Sequence, residues 1–220
     1  MVSIDIKAIL EFFDERPENS KHHATAICSV AGEELGVALL KHYLESEGKE
    51  ITLLSGSCTT GKQKGPRLDC WLLVTEGRKR TLYQVEVKNW SAHAIGGRCL
   101  PIDADERDVS EYKIERWRHE WRNGRFTKRQ VSKVLIPMRP PTANYDYHEP
   151  LVCYWTALHP EGLEEPLFAI SVRGAAFSLV NVFSMSSYLR NLRKMGKRRL
   201  QLEMPTTSIR MNWLHTLFGL

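Results

Sequence analysis

The chain has 220 residues, 42% of them hydrophobic and 26% charged, with a net charge of +5. That is enough for one well-cored domain, and too ordinary for a collagen, a low-complexity polymer or a disordered chain. No apolar run nears the ~18 residues of a membrane-spanning helix. No basic segment followed by an apolar one opens the chain, and five scattered cysteines form no CxxC. The expectation is a cytoplasmic protein of a reducing compartment with no membrane partner.

In chain order, residues 4–14 read as a short helix and 25–47 as a longer one, with Gly48 as its stop. Residues 50–56, 67–75 and 81–89 read as three strands, the last two joined by a turn at Glu76-Gly77-Arg78-Lys79. Residues 104–122 carry a helical pattern, 133–138 a strand and 141–150 a loop. Residues 151–158 and 167–172 extend the sheet, and 179–195 and 208–218 read as helices. Helix, three strands, helix and strand, followed by additions, predict an α/β chain with one central mixed sheet and no internal domain boundary.

Charge is unevenly placed. Residues 111–133 carry +5 and 188–199 carry +6, which leaves the rest at −6. Such focusing attracts polyanions. Trp117 and Trp121 lie within the first segment, where rings can stack on bases or form the buried side of an amphipathic helix. The candidate nucleic-acid contacts are Arg116, Arg118, Arg122, Arg125, Lys128 and Arg129 in the first segment, and Arg193, Lys194, Lys197 and Arg198 in the second.

Chemistry concentrates in the hairpin from Arg67 to Lys88. A two-residue turn at Gly77-Arg78 sets Glu76 opposite Lys79, Leu72 opposite Tyr83 and Asp69 opposite Glu86. Directly opposed residues of an antiparallel pair have Cβ atoms ~5 Å apart. Two carboxylates there repel unless a cation lies between them, and hard oxygen ligands suit Mg2+ or Mn2+. Alternation puts Lys88 on the face of Glu86, with Gln84 beside it, and assigns Leu68, Cys70, Leu72, Val85 and Val87 to the buried face. A further acid can come from the 25–47 helix. Glu33 shares a face with Val37, Leu40 and Leu44 and is expected inward, whereas Glu34 aligns with Ala38, Lys41 and Glu45 on a wetter face.

These residues resemble the PD-(D/E)XK, or restriction-endonuclease-like, nuclease superfamily. The matching pieces are Gly32-Glu33-Glu34, Gly65-Pro66-Arg67-Leu68-Asp69 and Gln84-Val85-Glu86-Val87-Lys88. The Pro stands three residues before the Asp rather than next to it. The resemblance covers about 25–138 and implies a single restriction-endonuclease-like domain over 1–220. That domain has an αβββαβ core and a C-terminal extension of strands and helices over about 150–220. It further implies a divalent-metal-dependent endonuclease acting on DNA, with RNA as an alternative. Asp69, Glu86 and the backbone carbonyl of Val87 would ligate the metal. Lys88 would assist the attacking water, and Glu33, or in reserve Glu34, would supply the helix-borne acid. Gln84 is a possible further contact.

Ser91, His93 and the Gly96-Gly97 loop follow the motif, and the Gly56–Lys62 loop precedes it. All are read as polar loops near the site. His22-His23 has no metal-helix spacing, and no histidine is assigned as a ligand. The apolar tail from Ser208 to Leu220 is expected to pack on its own domain, with docking of a partner or a second copy as the alternative. The expected setting is an effector of restriction or antiphage defence, as a homo-oligomer or with a regulatory subunit supplying sensing or ATPase function. The alternative is a nucleic-acid-binding or assembly module on the same fold, without turnover.

Overall fold

The computed structural model describes residues 1–14, 21–54, 68–88, 137–155, 165–171 and 176–219. Among them are eight strands and four helices. They are β1 (Val2–Asp5), α1 (Ile6–Asp14), α2 (Lys21–Ser46), β2 (Glu50–Leu54), β3 (Cys70–Glu76), β4 (Lys79–Lys88), β5 (Tyr147–Tyr154), β6 (Leu167–Ser171), β7 (Leu179–Ser184), α3 (Met185–Lys194), β8 (Arg199–Leu202) and α4 (Pro205–Phe218).

Six strands form one mixed sheet in the order β2-β3-β4-β5-β7-β6. The β3–β4 hairpin is its organising piece. Gly77 adopts φ +60, a conformation that suits glycine in a tight turn, and the ladder runs from Glu76↔Lys79 through Leu72↔Tyr83 to Cys70↔Val85. This is the register expected from the sequence. β2 pairs antiparallel with β3, while β5 and β7 run parallel to β4 and to each other, so Lys88, Tyr154 and Ser184 end level with one another. β6 closes the far edge antiparallel to β7. A separate ribbon pairs β1 with β8, and so the start of the chain with residues 199–202.

The main core lies between one sheet face and the helices. Cys70, Leu72, Val85, Val87, Leu151, Cys153 and Phe183 meet Leu35, Leu39 and Leu40 of α2, and Met185, Leu189 and Leu192 of α3. The opposite face carries a smaller cluster of Leu68, Trp71 and Leu82. Leu68 therefore does not join Cys70 and Leu72 as strict alternation predicts, because Asp69 and Cys70 both stand against Val85 and shift the alternation by one residue.

Three element assignments change. Residues 147–150 belong to β5, whereas a loop was expected over 141–150. Residues 179–184 form a strand before the helix begins, because LVNVFS, with Val180 and Val182–Ser184 buried, fits between two strands. Val2–Asp5 and Arg199–Leu202 are strands that stabilise each other across the whole sequence. The strand expected over 133–138 falls largely outside the described residues, and Pro137 and Met138 are irregular. The strand that pairs parallel to β4 is β5.

Candidate functional site

The acids of interest gather where β3 begins and β4 ends. Asp69 sits one residue before β3. Its N–H donates to the Val85 carbonyl at 3.1 Å, although Val85 is already the partner of Cys70, so the two residues bulge against one and Asp69 sits beside β4 off the ladder register. Its Oδ2 accepts the N–H of Val87, so the side chain is folded onto the next strand. Glu86 lies on β4 and is 3% exposed.

Glu33 arrives from the other side of the sheet, and a glycine makes that approach feasible. A Cβ on Gly36 would stand 2.8 Å from Val87 Cγ1, with Met185 Sδ at 3.3 Å, so α2 crosses β4 closely there. Glu33 lies almost one turn earlier on α2 and hydrogen-bonds Asp69. It is exposed, Asp69 is half-buried and Glu86 is buried, so the three acids run from solvent into the sheet.

This crowding has an electrostatic consequence. The Asp69 carboxyl is pushed from 3.8 up to about 8, first by burial, then by the negative charges of Glu86 and Glu33, and by the hydrogen bond to Glu33. The Val87 N–H opposes the rise without reversing it. At neutral pH Asp69 is therefore protonated.

Glu34 does something different from either expectation. It is half-buried, and both its oxygens hold the start of α4. Oε1 accepts the Thr206 N–H at 2.9 Å, and Oε2 accepts the Thr207 N–H and hydroxyl, each at 2.7 Å. Met204, the residue before α4, provides no side-chain cap, so this carboxylate from another helix satisfies the orphan amides and complements the helix dipole. Glu33 is correspondingly not the inward acid among Val37, Leu40 and Leu44. It is the exposed one, turned to the sheet edge.

Gln84, a possible further contact in the sequence, is fully buried. Its Oε1 accepts from the Met138 N–H at 3.2 Å and from His148 Nε2 at 2.9 Å. His148 is ringed by Trp71, Tyr145 and Phe177 at centroid distances of 5.3–5.8 Å. Neither His148 nor Gly36 stood out in the sequence. The only signal for Gly36 was a glycine inside a helical pattern.

Lys88 continues β4 opposite Tyr154, and its side chain lies outside the described residues. So do Arg116, Arg118, Arg122, Arg125, Lys128, Arg129, Trp117 and Trp121, the Gly56–Lys62 loop, Ser91, His93, Gly96 and Gly97, and the side chains of His22 and His23. Arg193, Lys194, Lys197 and Arg198 are exposed at the end of α3 and in the turn after it. α3 begins at the end of the sheet where β4 finishes and packs back across it. Its basic end therefore lies about 15 Å along the helix from that edge, a placement that also complements the helix dipole.

Three carboxyl groups drawn from α2, β3's approach and β4 are a hard-oxygen donor set of the kind Mg2+ or Mn2+ takes. As the side chains stand, no group of three or more His, Cys, Asp or Glu among the described residues has the geometry to hold a metal ion. Asp69 turns its Oδ2 to the Val87 amide. No family model, curated protein or solved structure matches the chain.

Proposed function

We propose that the chain is a divalent-metal-dependent phosphodiesterase on a restriction-endonuclease-like fold, acting on nucleic acid, with DNA as the first candidate. The observation that carries this reading is the convergence of Asp69 with Glu86 and Glu33, which drives the Asp69 carboxyl up to about 8. The neighbours that raise Asp69 are themselves acids. The order β2-β3-β4-β5, with the first three antiparallel in succession and the fourth parallel, supports the αβββαβ reading.

In this reading Asp69, Glu86 and the Val87 carbonyl hold the cation, and Glu33 receives or relays a proton from the solvent side. A divalent cation held by these residues would supply Lewis acidity toward a water and toward the charge growing on phosphorus. Lys88 orients the water or donates to the phosphoryl oxygens. Glu34 is taken out of the catalytic set, because its oxygens hold α4. Gln84 is taken out as well, because its oxygen is engaged by Met138 and His148.

The test is cleavage of plasmid, linear duplex and single-stranded RNA with Mg2+, Mn2+ or chelator. Metal-dependent products that fall by about 10²–10³ in Glu86→Ala and Lys88→Ala support the reading. Salt-sensitive binding without any turnover in the wild type would instead favour a binding or assembly module. A restriction or defence role, and a regulatory subunit, remain part of the proposal that this assay addresses by adding cell extract as activator.

A further inference from the structure

We propose that α4 is the surface through which two copies of this chain pair about a two-fold axis. The inference is independent of the phosphodiesterase reading. The tail was expected to pack on its own domain, yet Ile209, Met211, Trp213, Leu214, Leu217 and Phe218 are 36–69% exposed. At 3.6 residues per turn they cover an arc of roughly 200°, twice the ~100° stripe by which a surface helix usually packs on its own core.

The area decides how large a partner this face accommodates. With roughly 200 Å² of full surface for each large apolar side chain, these exposures amount to about 700 Å². That exceeds the ~300–600 Å² of the largest apolar patch on a typical monomer. It approaches the ~800 Å² that each partner gives to a standard interface.

Charge selects the occupant. From Met211 to Leu220 the chain has no Asp, Glu, Lys or Arg. A polyanion or a charged peptide finds no counter-charge there, whereas an identical apolar face buries no unpaired ion. A two-fold axis makes one such helix its own complement. The helix is also held in place before pairing. Glu34 fastens Thr206 and Thr207, and Arg210 Nη1 donates to the Val30 carbonyl at 2.7 Å, so little order remains to be gained on association. Glu34 is the neighbour of Glu33, so pairing α4 brings two acid clusters into one particle.

The experiment is sedimentation velocity on the full chain across the micromolar range, together with the Trp213→Glu/Leu217→Glu double variant. The wild type should show twice the chain mass, and the variant should dissociate at least ~100-fold more readily while keeping the wild-type circular dichroism. Single cysteines placed in turn at Met211, Leu214, Leu217 and Phe218, in a chain with Cys28, Cys58 and Cys99 changed to Ser and the buried Cys70 and Cys153 kept, supply a readout that does not depend on that variant folding. A bifunctional thiol reagent should join two chains through at least one of them, and not through a cysteine at the exposed Thr52. A single-chain mass at every concentration would overturn the proposal and leave the face to another protein. A dimer that the double variant leaves intact, or absence of cross-linking at all four positions, would overturn it too.

Discussion

At neutral pH an aspartate held like Asp69 keeps its proton, because ionising it would add a third negative charge beside Glu86 and Glu33 in a partly dry setting. The stability consequence has a definite sign. The unfolded side chain ionises from about 3.8 upward and the native one only near 8, so between these values the native state binds more protons and stability falls as pH rises. Asp69→Asn removes that penalty and retains an oxygen for the Val87 N–H. In metal-free buffer it should raise stability by ~1–2 kcal/mol at pH 8 and by much less at pH 4, in chemical denaturation at both values. Equal stability of the two proteins at pH 8 would mean that the acids do not interact as described. The register from Glu76↔Lys79 to Cys70↔Val85 was readable from the sequence, because a Gly-centred turn fixes it; the direct opposition of Asp69 and Glu86 was not reached, because Asp69 bonds Val85 and slips the register by one residue. The division of labour between Glu33 and Glu34 was not readable. Helix periodicity ranks the two by their neighbours on α2, whereas Glu34 is claimed by Thr206 and Thr207, more than 170 residues away.

Among the elements, α2 does two jobs within one turn: Glu33 faces the sheet edge and Glu34 holds α4. Gly36 lets the helix lie close enough for the first. Gly36→Ala places a methyl against Val87 and Met185, so either α2 moves out or the sheet gives way. The expected cost is ~1–3 kcal/mol, with the separation of Glu33 from Asp69 increased, as thermal unfolding and a crystal structure of the variant would show. Glu34→Ala leaves the first amides of α4 without their acceptor and should cost about 1–2 kcal/mol. Hydrogen exchange should show that loss first at Thr206 and Thr207. Element types were legible where period and turn chemistry agree, as in the β3–β4 hairpin and the body of α2. They were not legible for β7, whose buried run lacks alternation and reads equally as helix, or for β1 and β8, which among the described residues pair with each other across the length of the chain.

For the whole molecule, one central mixed sheet was legible in the order of elements, but the strand parallel to β4 lies later in the chain than the apolar run at 133–138 suggested, and β7 was read as helix. Hydrophobic content alone cannot choose between two short apolar segments, because pairing with β4 and β7 decides it. The second basic segment, legible as charge, lies at the far end of α3 from the acid edge. Reversing Arg193, Lys194, Lys197 and Arg198 to Glu should therefore weaken nucleic-acid binding less than tenfold in fluorescence anisotropy, with a smaller salt slope. A loss of several hundredfold would place the polymer across α3 instead.

The central proposal is that Asp69, Glu86 and the Val87 carbonyl hold one hard cation, with Glu33 beside them on the solvent side. Calorimetric titration of Mn2+ into the full chain tests it most directly. One Mn2+ per chain should bind to the wild type with release of a proton at pH 7, as Asp69 ionises, and binding should vanish in the Asp69→Asn/Glu86→Gln variant, which chemical denaturation must show to be folded. Mn2+ binding unchanged in that variant, or no binding by the wild type, would contradict it.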